Sequence, residues 1–185
     1  MRVVRVRNDV NHYQYFMAAN TADEKMLVMD GTPKAHVWVA PEVFIYMPLH
    51  KAGALYNFNR DSLIFTPTVA RTLSTFIRMA GEALVLPYEG KNYIVLNVTE
   101  CINCLNEKGT IWAWYNLETK KGRIRKYAFY KDCFSKSPIF KIPESPYDIF
   151  VVDRQHNEEE DFFKVIKDHE LKGFVFDEVW RSDDD

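Results

Sequence analysis

The chain has 185 residues, 47% of them hydrophobic and 15% aromatic, with a formal net charge of -2. That length fits one domain, residues 1–185, with a sizeable core. The near-neutral balance, with a pI near 6.2, gives no bulk attraction to nucleic acid or to an anionic membrane. Three cysteines are an odd number for a disulfide framework and favour a reducing, cytoplasmic setting.

Val3 to Arg7 alternates apolar and basic residues, the pattern of an edge strand. Tyr13–Met17 and Lys25–Met29 read as strands, the second closed by the turn pair Asp30-Gly31 and by Pro33. His36–Val39 reads as a short strand that stops at Ala40-Pro41, and residues 44–60 read as irregular loop with local strand. The most apolar window, Ala35–Leu49, carries His36, Pro41, Glu42 and Pro48, so no membrane span is expected. Arg5 and Arg7 interrupt any apolar targeting segment at the start.

After a strand at Leu63–Phe65 comes the clearest helix of the first half. Thr66 can cap it, Pro67 takes the first helical position, and Val69, Leu73, Phe76, Ile77 and Ala80 share one face up to Gly81. Leu84–Leu86 and Tyr93–Leu96 then form a hairpin about the polar turn Glu89–Asn92, in which Gly90 can take a positive φ. The second arm is continuously apolar, as in a strand covered on both faces, and a short helical turn is expected after it. Ile111–Tyr115 and Arg123–Lys131 make a second hairpin, and Ile139–Ile142 and Ile149–Val152 are further strands. In the last helix Asn157 is the expected cap, and Glu158, Glu159, Glu160 and Asp161 lie where the macrodipole favours negative charge. Phe162, Val165, Ile166 and His169 line its inner face, with His169 packed near the end. Gly173 stops the helix before a final strand, Phe174–Trp180.

Candidate chemistry is sparse. Cys101-Ile102-Asn103-Cys104 has C-x-x-C spacing, but Ile102 reads as core and no second knuckle completes a zinc site. These thiols read as incidental buried cysteines. No Gly-rich phosphate loop, nucleophile elbow or metalloprotease helix is present, so the residues give no positive reason to propose an enzyme, a cofactor or a metal. The most suggestive surface is the hairpin at 111–131. There Lys120, Lys121, Arg123, Arg125 and Lys126 alternate with Trp112, Trp114, Tyr115, Tyr127, Phe129 and Tyr130. Such a surface can stack single-stranded nucleic acid, hold a protein partner, or simply keep aromatics inside and bases outside.

Several segments taken in order resemble immunity protein family eleven of bacterial polymorphic toxin systems. They are Asp61–Thr66 with the helix after it, Leu84–Pro87 with Tyr93–Val98, Pro138–Ile142, Ile149–Asp153, and the closing helix with Leu171–Trp180. The likeness covers about residues 61 to 180, with 1–60 as N-terminal strands of the same domain. Where that family tends to place an Asp-x-x-Asp-like turn, this chain has Asn103 and Asn106. The resemblance implies a non-enzymatic antidote that binds a cognate secreted toxin. It transfers no binding residues.

The expected fold is α+β, a mostly antiparallel twisted sheet with two main helices packed on it. The candidate toxin-binding residues are Trp112, Trp114, Arg123, Arg125, Glu158, Glu159 and Glu160. The alternative is a nucleic-acid-binding module using hairpin 111–131. Neither the residues nor the resemblance sets a homo-oligomeric state.

Overall fold

The computed structural model describes residues 1–58, 61–116, 120–154 and 161–182. Along the chain these form β1 (Arg2–Asn8), β2 (Tyr15–Ala18), β3 (Val43–Tyr46), β4 (Leu55–Tyr56), β5 (Leu63–Phe65), α1 (Pro67–Thr72) and α2 (Ser74–Ala80). There follow β6 (Gly81–Tyr88), β7 (Lys91–Val98), β8 (Ile111–Asn116), β9 (Lys120–Lys126), β10 (Ile139–Ile142), β11 (Ser145–Asp153), α3 (Phe162–Asp168) and β12 (Phe174–Arg181). The fold is α+β. Two four-stranded antiparallel sheets, ordered β10-β11-β1-β12 and β4-β5-β7-β6, are joined by two-stranded pairs β2-β3 and β8-β9.

β1 is not an edge. It lies between β11 and β12, and its alternating arginines are matched from both neighbours. Arg2 Nε reaches Asp153 at 2.8 Å, Arg7 Nε reaches Asp177 at 2.9 Å, and Arg5 lies 3.4 Å from Asp177 and 3.7 Å from Asp148. Cross-strand pairs of opposite charge are what let a basic, alternating strand sit mid-sheet. The Arg7 hydrogen bond first, and the Arg7 and Arg5 charges after it, hold Asp177 below the usual carboxylate range.

Each large sheet is covered on both faces, which is why so many strands here are continuously apolar. Between the sheets lies one core, with Val4, Val6, Ile149 and Val151 from the first, Leu63, Phe65, Leu96 and Val98 from the second, and Val69 of α1, Leu73 at the α1–α2 junction, Phe76 of α2 and Phe162 of α3. The far face of the first sheet, with Val3, Phe140, Phe150 and Val152, packs under Cys104, Leu105, Tyr127 and Phe129. The far face of the second, with Ile64, Leu84, Leu86 and Val95, packs under Phe16, Leu27, Met29 and Val43.

Helix ends follow local chemistry with three corrections. Thr66 caps α1 through the Val69 amide with Pro67 behind it, as expected, but the first helix breaks at the fully buried Leu73 into α1 and α2. At the last helix the cap is Asp161, whose Oδ1 accepts from the Phe163 and Lys164 amides at 2.8 and 3.3 Å. Asn157 lies outside the described residues. His169 is exposed at the C-terminal cap of α3, not packed in its inner face, while Phe162 and Ile166 are buried.

The first hairpin, β6–β7, pairs over its whole length and turns on Glu89 and Gly90, with φ of 46° and 72°. Two left-handed residues match the strand twist. No helical turn follows it. Residues 101–105 instead run extended, with isolated bridges from Cys101 to Lys141 and from Leu105 to Phe129. Lys25–Met29 is a short 3-10 helix, Asp23–Leu27, rather than a strand, and His36–Val39 is a turn held by Trp38 Nε1 donating to the Val85 carbonyl.

Gly81 joins α2 to β6 where backbone crowds backbone. A Cβ there would stand 2.1 Å from the Asn97 carbonyl oxygen and 2.7 Å from the Thr99 nitrogen. Both sit in chain pinned nearby, since the Thr99 and Glu100 amides bond the Ala80 carbonyl. Gly81→Ala is expected to destabilise by about 3 kcal/mol, read as a lower urea midpoint with unchanged slope. Gly90→Ala serves as its contrast, because nothing lies within 4 Å of a Cβ there and only the positive φ opposes the substitution.

Candidate protein-binding face

β2 and β3 alternate strictly although nearly every residue in them is apolar. Their register sets Tyr15 against Tyr46, Phe16 against Ile45, Met17 against Phe44 and Ala18 against Val43. Phe16 and Val43 are buried and, with the partly buried Ile45, face the second sheet.

 Ala18 lies on that same inner side. The other four side chains of the pair, Tyr15, Met17, Phe44 and Tyr46, therefore share the outer face. Met17, Phe44 and Tyr46 are 40%, 42% and 38% exposed, and the Tyr15 and Tyr46 rings lie 5.2 Å apart. Burial first, then the neighbouring Tyr46, push the Tyr15 phenol up.

The face continues past the end of β3. Met47 takes a positive φ of 53°, the His50 amide bonds its carbonyl, and Gln14 Nε2 holds the Pro48 carbonyl at 2.9 Å. This braced turn leaves Met47 at 43% and Leu49 at 99% exposure. No residue of β2 or β3 is charged, and the exposed Glu42 just before β3 marks the end of the face, on a chain with 24 basic and 26 acidic residues. Exposed aromatic and Met side chains with charge depleted are the composition of the buried centre of a protein interface.

The residues singled out from sequence fall elsewhere. Arg123 and Arg125 are exposed on β9, while Trp112, paired with Ile124, is half-buried against the core beneath the hairpin. Tyr127 and Phe129 are buried and stack on each other at 5.8 Å, so they present no ring to a base. The side chain of Trp114, and Glu158, Glu159 and Glu160 entirely, lie outside the described residues. Arg123, Arg125 and Lys126 thus stand in solvent, with those aromatics turned inward.

Cys101 is exposed and Cys104 fully buried. Burial pushes the Cys101 thiol up and that of Cys104 up to about 12. Neither stands at a helix N-terminus, the setting that would favour a thiolate. Among the described residues, no group of three or more His, Cys, Asp and Glu is placed to hold a metal ion. No helix among them is long and apolar enough to cross a membrane.

The sequence allows local strand within residues 44–60 but does not place β3 or its faces, because Val43–Tyr46 is apolar at every position. With no polar residue marking the solvent side, only pairing with β2 shows which side chains face out. The sequence matches no protein-family model and no curated protein.

Proposed function

We propose that this chain is an immunity protein of the cytoplasm that neutralises a cognate secreted toxin by stoichiometric binding, without turnover. The observation that carries the proposal is the uncharged aromatic and Met face of β2–β3, built on a buried Phe16 and extended by Leu49. A surface of this composition is suited to a polypeptide partner, with Phe44 and Tyr46 as anchors. The ordered segments that resemble immunity family eleven support the same assignment.

The test is co-expression with the product of the adjacent gene. Rescue of growth, with a 1:1 or 2:2 complex on sizing, is the expected result. Met17→Asp together with Phe44→Asp should weaken that complex by about 100-fold or more, since the Phe44 anchor is worth about 2 kcal/mol and the Met17 contact about 1 kcal/mol. Both positions are solvent-facing, so the melting temperature should hold. A harmless neighbour with no complex would remove the proposal. Salt-dependent binding of single-stranded nucleic acid, lost on replacing Arg123 and Arg125, would put the nucleic-acid module in its place.

A further inference from the structure

Near the end of β11, the segment that leads into β10 is tied back to it. The Val152 amide donates to the Pro138 carbonyl at 2.8 Å, and Arg154 Nη2 donates to the Ser135 carbonyl. Phe134 anchors the same segment, its ring 5.5 Å from that of Phe140 and 5.8 Å from that of Phe129. Beside these attachments lies a cleft of about 420 Å³, lined among the described residues by Phe134, Ser135, Lys136 and Arg154.

Apart from the Arg154–Ser135 bond, the donors of that lining are left without protein acceptors. Among the described residues the Ser135 and Lys136 amides make no hydrogen bond. The Ser135 hydroxyl is buried with no partner, whereas that of Ser137, two residues on, bonds the Ile139 carbonyl at 2.7 Å. Neither Lys136 nor Arg154 is paired with a carboxylate among the described residues, and Asp153, next to Arg154, is matched by Arg2 at 2.8 Å. Two cations and idle donors, with no carboxylate in the described lining, call for a ligand made of acceptors and negative charge. The donors come from two chain segments. A planar carboxylate is satisfied by the guanidinium fork alone, whereas a tetrahedral phosphate has oxygens for both segments, and its charge of about -1.5 to -2 at pH 7 matches two cations.

We propose that this cleft binds a phosphate-type oxyanion, free or as the ester group of a larger molecule. Arg154 and Lys136 are its cationic partners, and the Ser135 and Lys136 amides complete the donor set. The volume lies within the range of small-molecule sites, about 300 to 1,000 Å³, so space remains beside the phosphate for the rest of an ester. The site uses none of the residues of the β2–β3 face and does not rest on the toxin-binding reading.

The experiment follows the amide signals of the full chain by NMR during titration with inorganic phosphate and with phenyl phosphate, at constant ionic strength, with acetate as the control anion. The expected result is saturable shifts at Ser135 and Lys136, with half-saturation below about 5 mM. Arg154→Lys keeps the charge but loses the fork and should weaken binding about 10-fold. Lys136→Gln, at an exposed position that leaves the fold intact, should weaken it by about 5-fold or more. Lys91→Gln, an exposed cation on the β6–β7 hairpin, should change nothing. Phenyl phosphate binding at least as tightly as the inorganic ion identifies an ester as the ligand, and tighter binding of the inorganic ion identifies free phosphate. Absence of saturable shifts at Ser135 and Lys136, an equal response to acetate, or phosphate binding unchanged in both Arg154→Lys and Lys136→Gln would each overturn the proposal.

Discussion

Lys141→Ala is expected to lower the free energy of unfolding by about 4 kcal/mol, from the lost contacts of a buried side chain and two carbonyls left without a donor. Lys141 is fully buried on β10, and its ammonium donates to the Met29 carbonyl and, at 3.1 Å, to the Asp61 carbonyl. Asp61 in turn accepts from the Met29 amide at 3.0 Å. One lysine thus ties the first sheet to the segment under the second and to the residue leading into β5. Lys141→Met keeps most of the volume and should cost about 2 kcal/mol, chiefly for the unpaired carbonyls.

The same side chain gives a pH signature. Burial is the largest cause that pushes the Lys141 ammonium down to about 8 from its ordinary 10.5, against the opposing charge of Asp61. The folded state therefore releases this proton before the unfolded state does. Between pH 8 and 10.5 the unfolded chain binds more protons, so the Lys141 contribution to stability rises with pH, by up to about 3 kcal/mol across the window. It is lost again as the pH falls through 8. Cys104 works against it. Its thiol is pushed up to about 12 from 9.0, so its contribution falls as the pH rises above 9.0. The difference between wild type and Lys141→Met isolates the lysine, and denaturant curves from pH 7 to 10 measure it. A difference that stays flat over that range would show that the ammonium is not held in a penalising site.

Phe16→Ala is expected to cost about 3 to 5 kcal/mol. Phe16 is fully buried, and its ring lies 5.3 Å from Tyr56, 5.1 Å from Tyr88 and 5.2 Å from Tyr93. It is the contact through which β2–β3 sits on the second sheet. Its loss should therefore loosen the outer face as well as the core, and partner binding should fall with stability. Met17, one residue along and 40% exposed, supplies the contrast. Met17→Ala should change stability by less than about 0.5 kcal/mol while still weakening the complex. Equal effects at the two positions in a thermal melt would mean that β2 does not present opposite faces to core and solvent.

Much of the chain after residue 60 was legible because local chemistry and final structure agree there. Thr66-Pro67 and Glu89-Gly90 are capping and turn residues whose backbone preferences act over a few residues, and each begins or turns an element where expected, whereas Gly173 only precedes β12 and α3 stops earlier, at Asp168 with Glu170 at positive φ. The continuous apolar run at Tyr93–Leu96 implied a strand covered on both faces, as found, and Ile149–Val152 is a strand as expected. The first 60 residues were read less well. Lys25–Met29 and His36–Val39 are apolar enough for strands, but they serve as a lid over the second sheet, bound through Asp61 and Val85.

The candidate face shows the same division. By itself the sequence determined the α+β class, the order of the main strands after Leu63 and the start of the first helix at Thr66-Pro67, because those depend on residue spacing and on bonds made nearby. Only the tertiary structure decided that β1 lies mid-sheet, that Lys141 is a buried tie, and that Phe16 faces in while Tyr15 and Met17 face out. Those outcomes depend on partners more than 100 residues away, as with Arg7 and Asp177, or on a pairing whose apolar residues look alike on both sides. Alternation reports that a strand has two faces; what covers each face is settled by the rest of the chain.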